Sequence, residues 1–107
     1  MIDRKSLLER CGEDRALLVE LLLEFERRCA SQLAELTTDN EDLYRISHRL
    51  KGLALNLSMP DLQERAASVE RLARSGSVQA EDVRDLRKSL QAACESARAI
   101  LREEENA

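Results

Sequence analysis

The chain is poor in the residues that build sheets, turns and disordered tracts. Its 107 residues include one Tyr, one Phe and no Trp, with three Gly and a single Pro, which disfavours the many short strands and turns of a β-sandwich or barrel. No apolar run approaches the roughly 20 residues needed to cross a bilayer. The opening Met1-Ile2-Asp3-Arg4-Lys5 is not that of a signal peptide. A cytoplasmic protein that does not engage the membrane is therefore expected. Basic residues form no stripe: 17 Lys and Arg are scattered among 21 Asp and Glu, for a net charge of −4, so the electrostatic footprint of a nucleic-acid partner is missing. The three cysteines, Cys11, Cys29 and Cys94, are odd in number, far apart and without a C-x-x-C pair, a pattern that fits reduced thiols better than disulfides or zinc ligands. A single histidine cannot supply the inward-facing ligand set of a metal-containing helical bundle. With no P-loop and no Gly-rich phosphate loop, the chain has no visible means of using a nucleotide.

What is present is amphipathic. Hydrophobic residues make up 43% and charged residues 36% of a length that suits one domain, residues 1–107. Asp3 is placed to cap a short helix that ends near Cys11-Gly12, and Asp14 to start the next. Leu17, Leu18, Leu21, Leu22, Phe25, Cys29, Leu33 and Leu36 then recur at threes and fours, predicting one helix to about Leu36. Thr38 with Glu41 resembles a capping box for a third long helix, which Met59-Pro60 ends. A fourth carries Leu62, Ala66, Val69 and Leu72 or Ala73 as far as the connection Ser75-Gly76-Ser77. The last begins near Ala80 with Val83, Leu86, Leu90, Ala93, Cys94, Ala97 and Leu101 on its stripe, and residues 102–107 are expected to be a frayed polar tail. The predicted fold is all-α: an up-down-up-down four-helix bundle with a short N-terminal helix. A bundle of this size can bury its stripes alone, so a monomer is expected.

On a wheel advancing about 100° per residue, Leu43, Ile46, Leu50, Leu53 and Leu57 of the third helix fall within a sector of roughly 80°. His48 falls about 140° from Leu43, nearly opposite the centre of that sector, and should project into solvent from mid-helix. Tyr44, Lys51, Gly52 and Leu55 share its outward side at helical spacings. A helix glycine costs about 0.5–1 kcal/mol relative to alanine, so Gly52 on a solvent face invites a functional explanation. Taken singly, an exposed histidine, a solvated lysine or a tolerated glycine is ordinary. Their convergence on the chain's one histidine is what points to chemistry.

A neutral imidazole nitrogen is a good nucleophile toward phosphorus, and a histidine with a reference pKa of about 6.5 is largely neutral at cytosolic pH. His48 is thus a candidate phosphoryl acceptor. Lys51, one turn on, would set a positive charge beside the phosphoryl oxygens. Gly52 would leave the backbone bare for close approach by a partner's active-site loop, while Tyr44 and Leu55 would supply apolar docking contact.

The run His48-Arg49-Leu50-Lys51-Gly52 resembles the H-x-L-K-G motif of histidine-containing phosphotransfer (HPt) domains. The stretch through Leu57, Leu62 and Val69-Glu70, and the entry segment Gly12-Glu13-Asp14 with Leu18, Leu22 and Phe25, are similar to that family as well. The resemblance, from about Asp3 to Ala97, implies a four-helix bundle whose histidine takes a phosphoryl group from a receiver-domain aspartate and gives it to another receiver. Arg49 joins Lys51, Gly52, Tyr44 and Leu55 on the expected docking face, and a hybrid sensor kinase is a further expected partner. No cofactor of its own is implied, magnesium belonging to the receiver. Two positions depart from the family pattern: Leu53 stands where a small residue is common and Ser58 where the helix often ends in Gly. A sensor kinase's dimerisation domain is disfavoured, since Arg49 cannot act as the base that an acidic residue after the histidine would provide. The alternative from another class is an interaction module that binds a receiver or other signalling protein by the same face without transferring phosphate.

Overall fold

The computed structural model describes residues 1–106, and among these every regular element is helical. Six helices follow in order: α1 (Arg4–Arg10), α2 (Arg15–Arg27), α3 (Cys29–Glu35), α4 (Asn40–Asn56), α5 (Pro60–Arg74) and α6 (Ala80–Glu105). The caps follow from local sequence. Asp3, Asp14 and Asp39 each turn a carboxylate oxygen onto the backbone N–H three residues on, of Ser6, Leu17 and Asp42, at 3.0–3.1 Å. The third cap corrects the expected Thr38–Glu41 box, because Asp39 sits one residue later and its charged oxygen takes the N–H.

The single helix expected from Asp14 to Leu36 is instead two. Arg28 (φ −93°, ψ −4°) lies between them, and its N–H turns back to the Phe25 carbonyl three residues earlier, at 3.1 Å. The buried stripe is also narrower than the full set of leucines. Leu18, Leu22 and Phe25 of α2 and Cys29 and Gln32 of α3 are buried, whereas Leu17 and Leu21 remain 38% and 37% exposed and Leu33 is half-buried.

In α4 the core positions are Leu43, Ile46, Ser47, Leu50 and Ala54. Leu53, expected in the core, is only half-buried, because Ala54 takes the position facing inward. The helix ends at Ser58, the position where the family pattern often has Gly. Ser58 takes the left-handed conformation (φ 56°), and the Met59 N–H reaches the Ala54 carbonyl at 2.9 Å. Serine is held there by neighbours: its carbonyl accepts from the Asp3 N–H at 2.7 Å, and its hydroxyl lies 3.1 Å from that of Ser6. Pro60 then opens α5 in the first turn.

The α4 and α5 helices form the most extensive pair, and α6 packs along α2, α5 and α3. One continuous core joins Leu7, Leu22, Leu43, Leu50, Leu62, Val69, Leu86, Leu90 and Ala97 across α1, α2, α4, α5 and α6. On α5 Ala73 is buried and Leu72 half-buried; at the end of α6 it is Ile100 that is buried, with Leu101 half-buried. Cys29 on α3 and Cys94 on α6 meet inside this core with their Cα atoms 6.2 Å apart and are joined as a disulfide. That overturns the expectation of three reduced thiols: 65 residues of sequence separate two positions that helix packing brings together. Cys11 is the one free thiol and is buried.

The polar tail is likewise corrected, since α6 continues through residues 102–105. The half-buried Glu104 accepts from Arg15 at 3.0 and 3.1 Å and pairs with Arg4, which also reaches Glu103. The hydrogen bond from Arg15 holds the Glu104 carboxyl below its ordinary pKa. Residue 107, the end of the expected tail, lies outside the described residues. No helix among them is long and apolar enough to cross a membrane.

Candidate functional site

The middle of α4 sorts its side chains by direction. Ser47 is buried, its hydroxyl donating to the Leu43 carbonyl at 2.6 Å, and Leu50 is buried, while His48 between them is 65% exposed. The imidazole is nonetheless fixed. Its Nδ1 lies 2.5 Å from Oε2 of Glu70 on α5, and the other oxygen of that carboxylate accepts from Lys51 Nζ at 2.8 Å. Glu70 is itself buried, so one carboxylate with little water around it holds both the histidine and the lysine from beneath. The Lys51 hydrogen bond, assisted by the one from His48, outweighs burial and holds the Glu70 carboxyl below its ordinary pKa.

This contact sets the tautomer. A carboxylate at Nδ1 favours the proton on that nitrogen, which leaves the lone pair of a neutral imidazole on Nε2. The exposed ring thus presents an unprotonated nitrogen while its other edge is anchored.

Tyr44, expected to be exposed, is half-buried and packs against the core. Its ring lies nearly parallel to that of His48, tilted 18° with centroids 6.3 Å apart. Beyond it, Arg74 near the end of α5 donates to the Tyr44 hydroxyl at 2.9 Å, with its guanidinium carbon 5.3 Å from the ring centroid. Gly52 borders open space: a Cβ there would meet nothing within 4 Å. Leu55 is 46% exposed. Arg49 turns the other way and pairs with Glu35 of α3, beside a groove lined by Leu21, Phe25, Gln32 and Leu53. The structure therefore gathers His48, Lys51 and Tyr44 into one cluster, leaves Gly52 and Leu55 open nearby, and draws Arg49 aside.

Two members of the cluster were not singled out as site residues from the sequence. Glu70 follows the buried Ala66 by four residues and precedes the buried Ala73 by three. A carboxylate on the apolar face of an amphipathic helix was the available signal. Arg74 carries no such signal. Among the described residues, no group of His, Cys, Asp and Glu is placed to hold a metal ion.

A family model, that of the Hpt domain, matches residues 5–103. No curated protein and no solved structure matches the chain. The matched span takes in α4, α5 and the whole His48-Arg49-Leu50-Lys51-Gly52 motif, and the chain belongs to the Hpt domain family, whose members are phosphorelay carriers of two-component signalling and generally interact with receiver domains.

Proposed function

We propose that this protein carries a phosphoryl group on Nε2 of His48, taking it from the aspartyl phosphate of one response-regulator receiver and passing it to another. The observation that carries the reading is the buried Glu70 carboxylate on Nδ1. In the accepting step the Nε2 lone pair forms the P–N bond as the P–O bond to the receiver's aspartate breaks, and that carboxylate leaves. The proton stays on Nδ1, so the ring gains positive charge as the bond forms. An ionised Glu70 stabilises that charge, and the interaction is stronger in the transition state than before it. Lys51 supplies a cation beside the site and Gly52 the clearance for a receiver loop. Tyr44 and Leu55 give apolar contact, and Arg49 belongs to the rim of the docking face.

The rest of the reading extends the family's general role to this chain. The helices α2, α4, α5 and α6 are taken as an up-down-up-down bundle that forms one domain with α1 and acts as a monomer. Magnesium comes with the receiver, and a hybrid sensor kinase is the upstream donor in a cytoplasmic relay. The test is incubation of the wild type and His48→Gln with a phosphorylated receiver. Acid-labile, base-stable phosphate is expected on the wild type and none on the variant. Binding of receivers with no uptake from any of them would leave an interaction module in place of a carrier.

A further inference from the structure

The helix α3 has little of its own to hold it in place. Its seven residues are too few for a helix to persist alone in water, and Arg28 caps it with no side-chain hydrogen bond. Its two buried residues are Cys29 and Gln32. Gln32 opposes the packing, since its Oε1 is buried with no hydrogen-bond partner among the described residues. The helix α3 packs most on α6, where Cys29 is bonded to Cys94, both residues being 1% exposed. A further tie comes from Arg87 of α6, which donates to the Leu33 carbonyl at 3.1 Å. At its far end α3 meets the functional site: Glu35 pairs with Arg49, the residue after His48, and Gln32 and Glu35 line a groove with Leu53 and Leu57 of α4. In a cytoplasmic relay a disulfide would be unusual, and those that do form there are usually redox-sensing or catalytic.

We propose that the Cys29–Cys94 bond is a reversible redox latch that sets the position of α3 and, through it, the docking face beside His48. Closed, as in this structure, the bond holds Cys29 and Gln32 against α6 and keeps Glu35 beside Arg49. To open it, a dithiol reductant attacks one sulfur as its thiolate, forming a mixed disulfide, and its second thiol then displaces that sulfur. The protein is left with two thiols and the reductant with the new disulfide. Closing runs the other way: the protein thiols give two electrons and two protons to glutathione disulfide, which leaves as two glutathione thiols. Once the latch is open, α3 gains by turning the Gln32 amide to water, while the α4–α5 pair that holds His48, Lys51 and Glu70 stays in place. Glu35 leaves Arg49 and the groove loses one wall. A receiver then meets a face that is assembled only part of the time, and assembly for a tenth of the time weakens its apparent affinity about tenfold. This effect on transfer rests on the proposed carrier role of His48, whereas the latch itself does not.

The test compares the whole chain oxidised with glutathione disulfide and reduced with dithiothreitol. Amide hydrogen exchange is read residue by residue, and phosphoryl uptake is followed from a phosphorylated receiver and from phosphoramidate, which needs no docking surface. Reduction should speed exchange over residues 29–35 by at least about tenfold while α4 and α5 stay protected. It should slow uptake from the receiver about tenfold and leave uptake from phosphoramidate unchanged, and glutathione disulfide should restore the oxidised behaviour. Cys94→Ser should behave as the reduced protein in either buffer. Exchange in α3 that ignores the redox state overturns the latch, as does a bond that dithiothreitol cannot reduce in the folded protein. Global unfolding on reduction also overturns it, by making the bond a structural staple. Loosened α3 with unchanged receiver transfer overturns the link to docking. Uptake from phosphoramidate but from no receiver in either redox state ends the relay reading, and exchange in α3 alone then decides the latch.

Discussion

Replacing Glu70 by Leu separates what the carboxylate does for the fold from what it does for the histidine. The side chain is 9% exposed and makes one hydrogen bond to Lys51, whose side chain is 35% exposed, and one to His48, 65% exposed. Removing it releases both partners toward water and lifts the desolvation penalty of the carboxylate, so stability should stay within about 1 kcal/mol of wild type. The imidazole loses more. A hydrogen bond to a charged group is worth about 1.5–3 kcal/mol, and the exposure of His48 places this one near the lower end. At about 1.4 kcal/mol per factor of ten, phosphoryl acceptance should fall roughly tenfold. Nitrogen NMR of the ring provides the direct check: at mildly alkaline pH the wild type should hold its proton on Nδ1, and Glu70→Leu should lose that preference. Glu70→Gln should keep the preference, since its amide oxygen can accept from Nδ1, while freeing Lys51. A wild-type ring protonated on Nε2, or a Glu70→Leu protein that accepts phosphate at the wild-type rate, would refute the tautomer argument. The acid limb has a defined sign. Because folding lowers the Glu70 pKa from its ordinary value of 4.5, the stabilisation is complete above that value and is lost as pH falls through the folded one.

Other expectations are independent of the carboxylate. Gly52→Gln meets no neighbouring atom and improves helix propensity, so the domain should gain up to about 1 kcal/mol in denaturant melts while transfer from a receiver slows at least about tenfold and reaction with phosphoramidate changes little. Transfer at the wild-type rate would leave Gly52 a tolerated residue. Leu50→Ala empties a fully buried position and should cost about 2–5 kcal/mol, whereas Leu55→Ala at a 46% exposed one should stay within about 0.5 kcal/mol; equal effects would contradict the assigned faces of α4. Reducing the Cys29–Cys94 bond opens a 65-residue loop and should lower stability by about 4 kcal/mol on the chain-entropy account. Alkylation of the protein denatured without reductant should label Cys11 alone, and labelling of all three cysteines would refute the bond.

How far the sequence could be read depended on the distance over which each feature is decided. Local periodicity was enough to put Leu50 inward and His48 outward, and local chemistry was enough for the caps at Asp3 and Asp14. The break at Arg28 was not legible, because the apolar spacing runs on through it to Cys29, which is buried against α6. Residues 102–105 read as tail because their partners, Arg4 and Arg15, lie 89 to 100 positions earlier. Thr38 and Asp39 are competing caps one residue apart, and spacing does not choose between them. The candidate site divides the same way. Its α4 half was visible as one helix face, while Glu70 is 22 residues from His48 and needed the α4–α5 packing to become its partner.

The far end of α6 has a consequence of a different kind. Its 26 residues span about 39 Å at 1.5 Å per residue, most of the 46 Å length of the molecule. Beside its last turns lie Ile2, whose N–H donates to Ser96 at 3.1 Å, and Arg4, paired with Glu103 and Glu104. The first and last helices therefore leave the fold side by side. Such a body can be spliced into a surface loop of a host protein without stretching either junction. A short bridge from Glu105 to Asp3, with new ends opened in the connection between α5 and α6, would yield a circular permutant with the α4–α5 pair and His48 undisturbed.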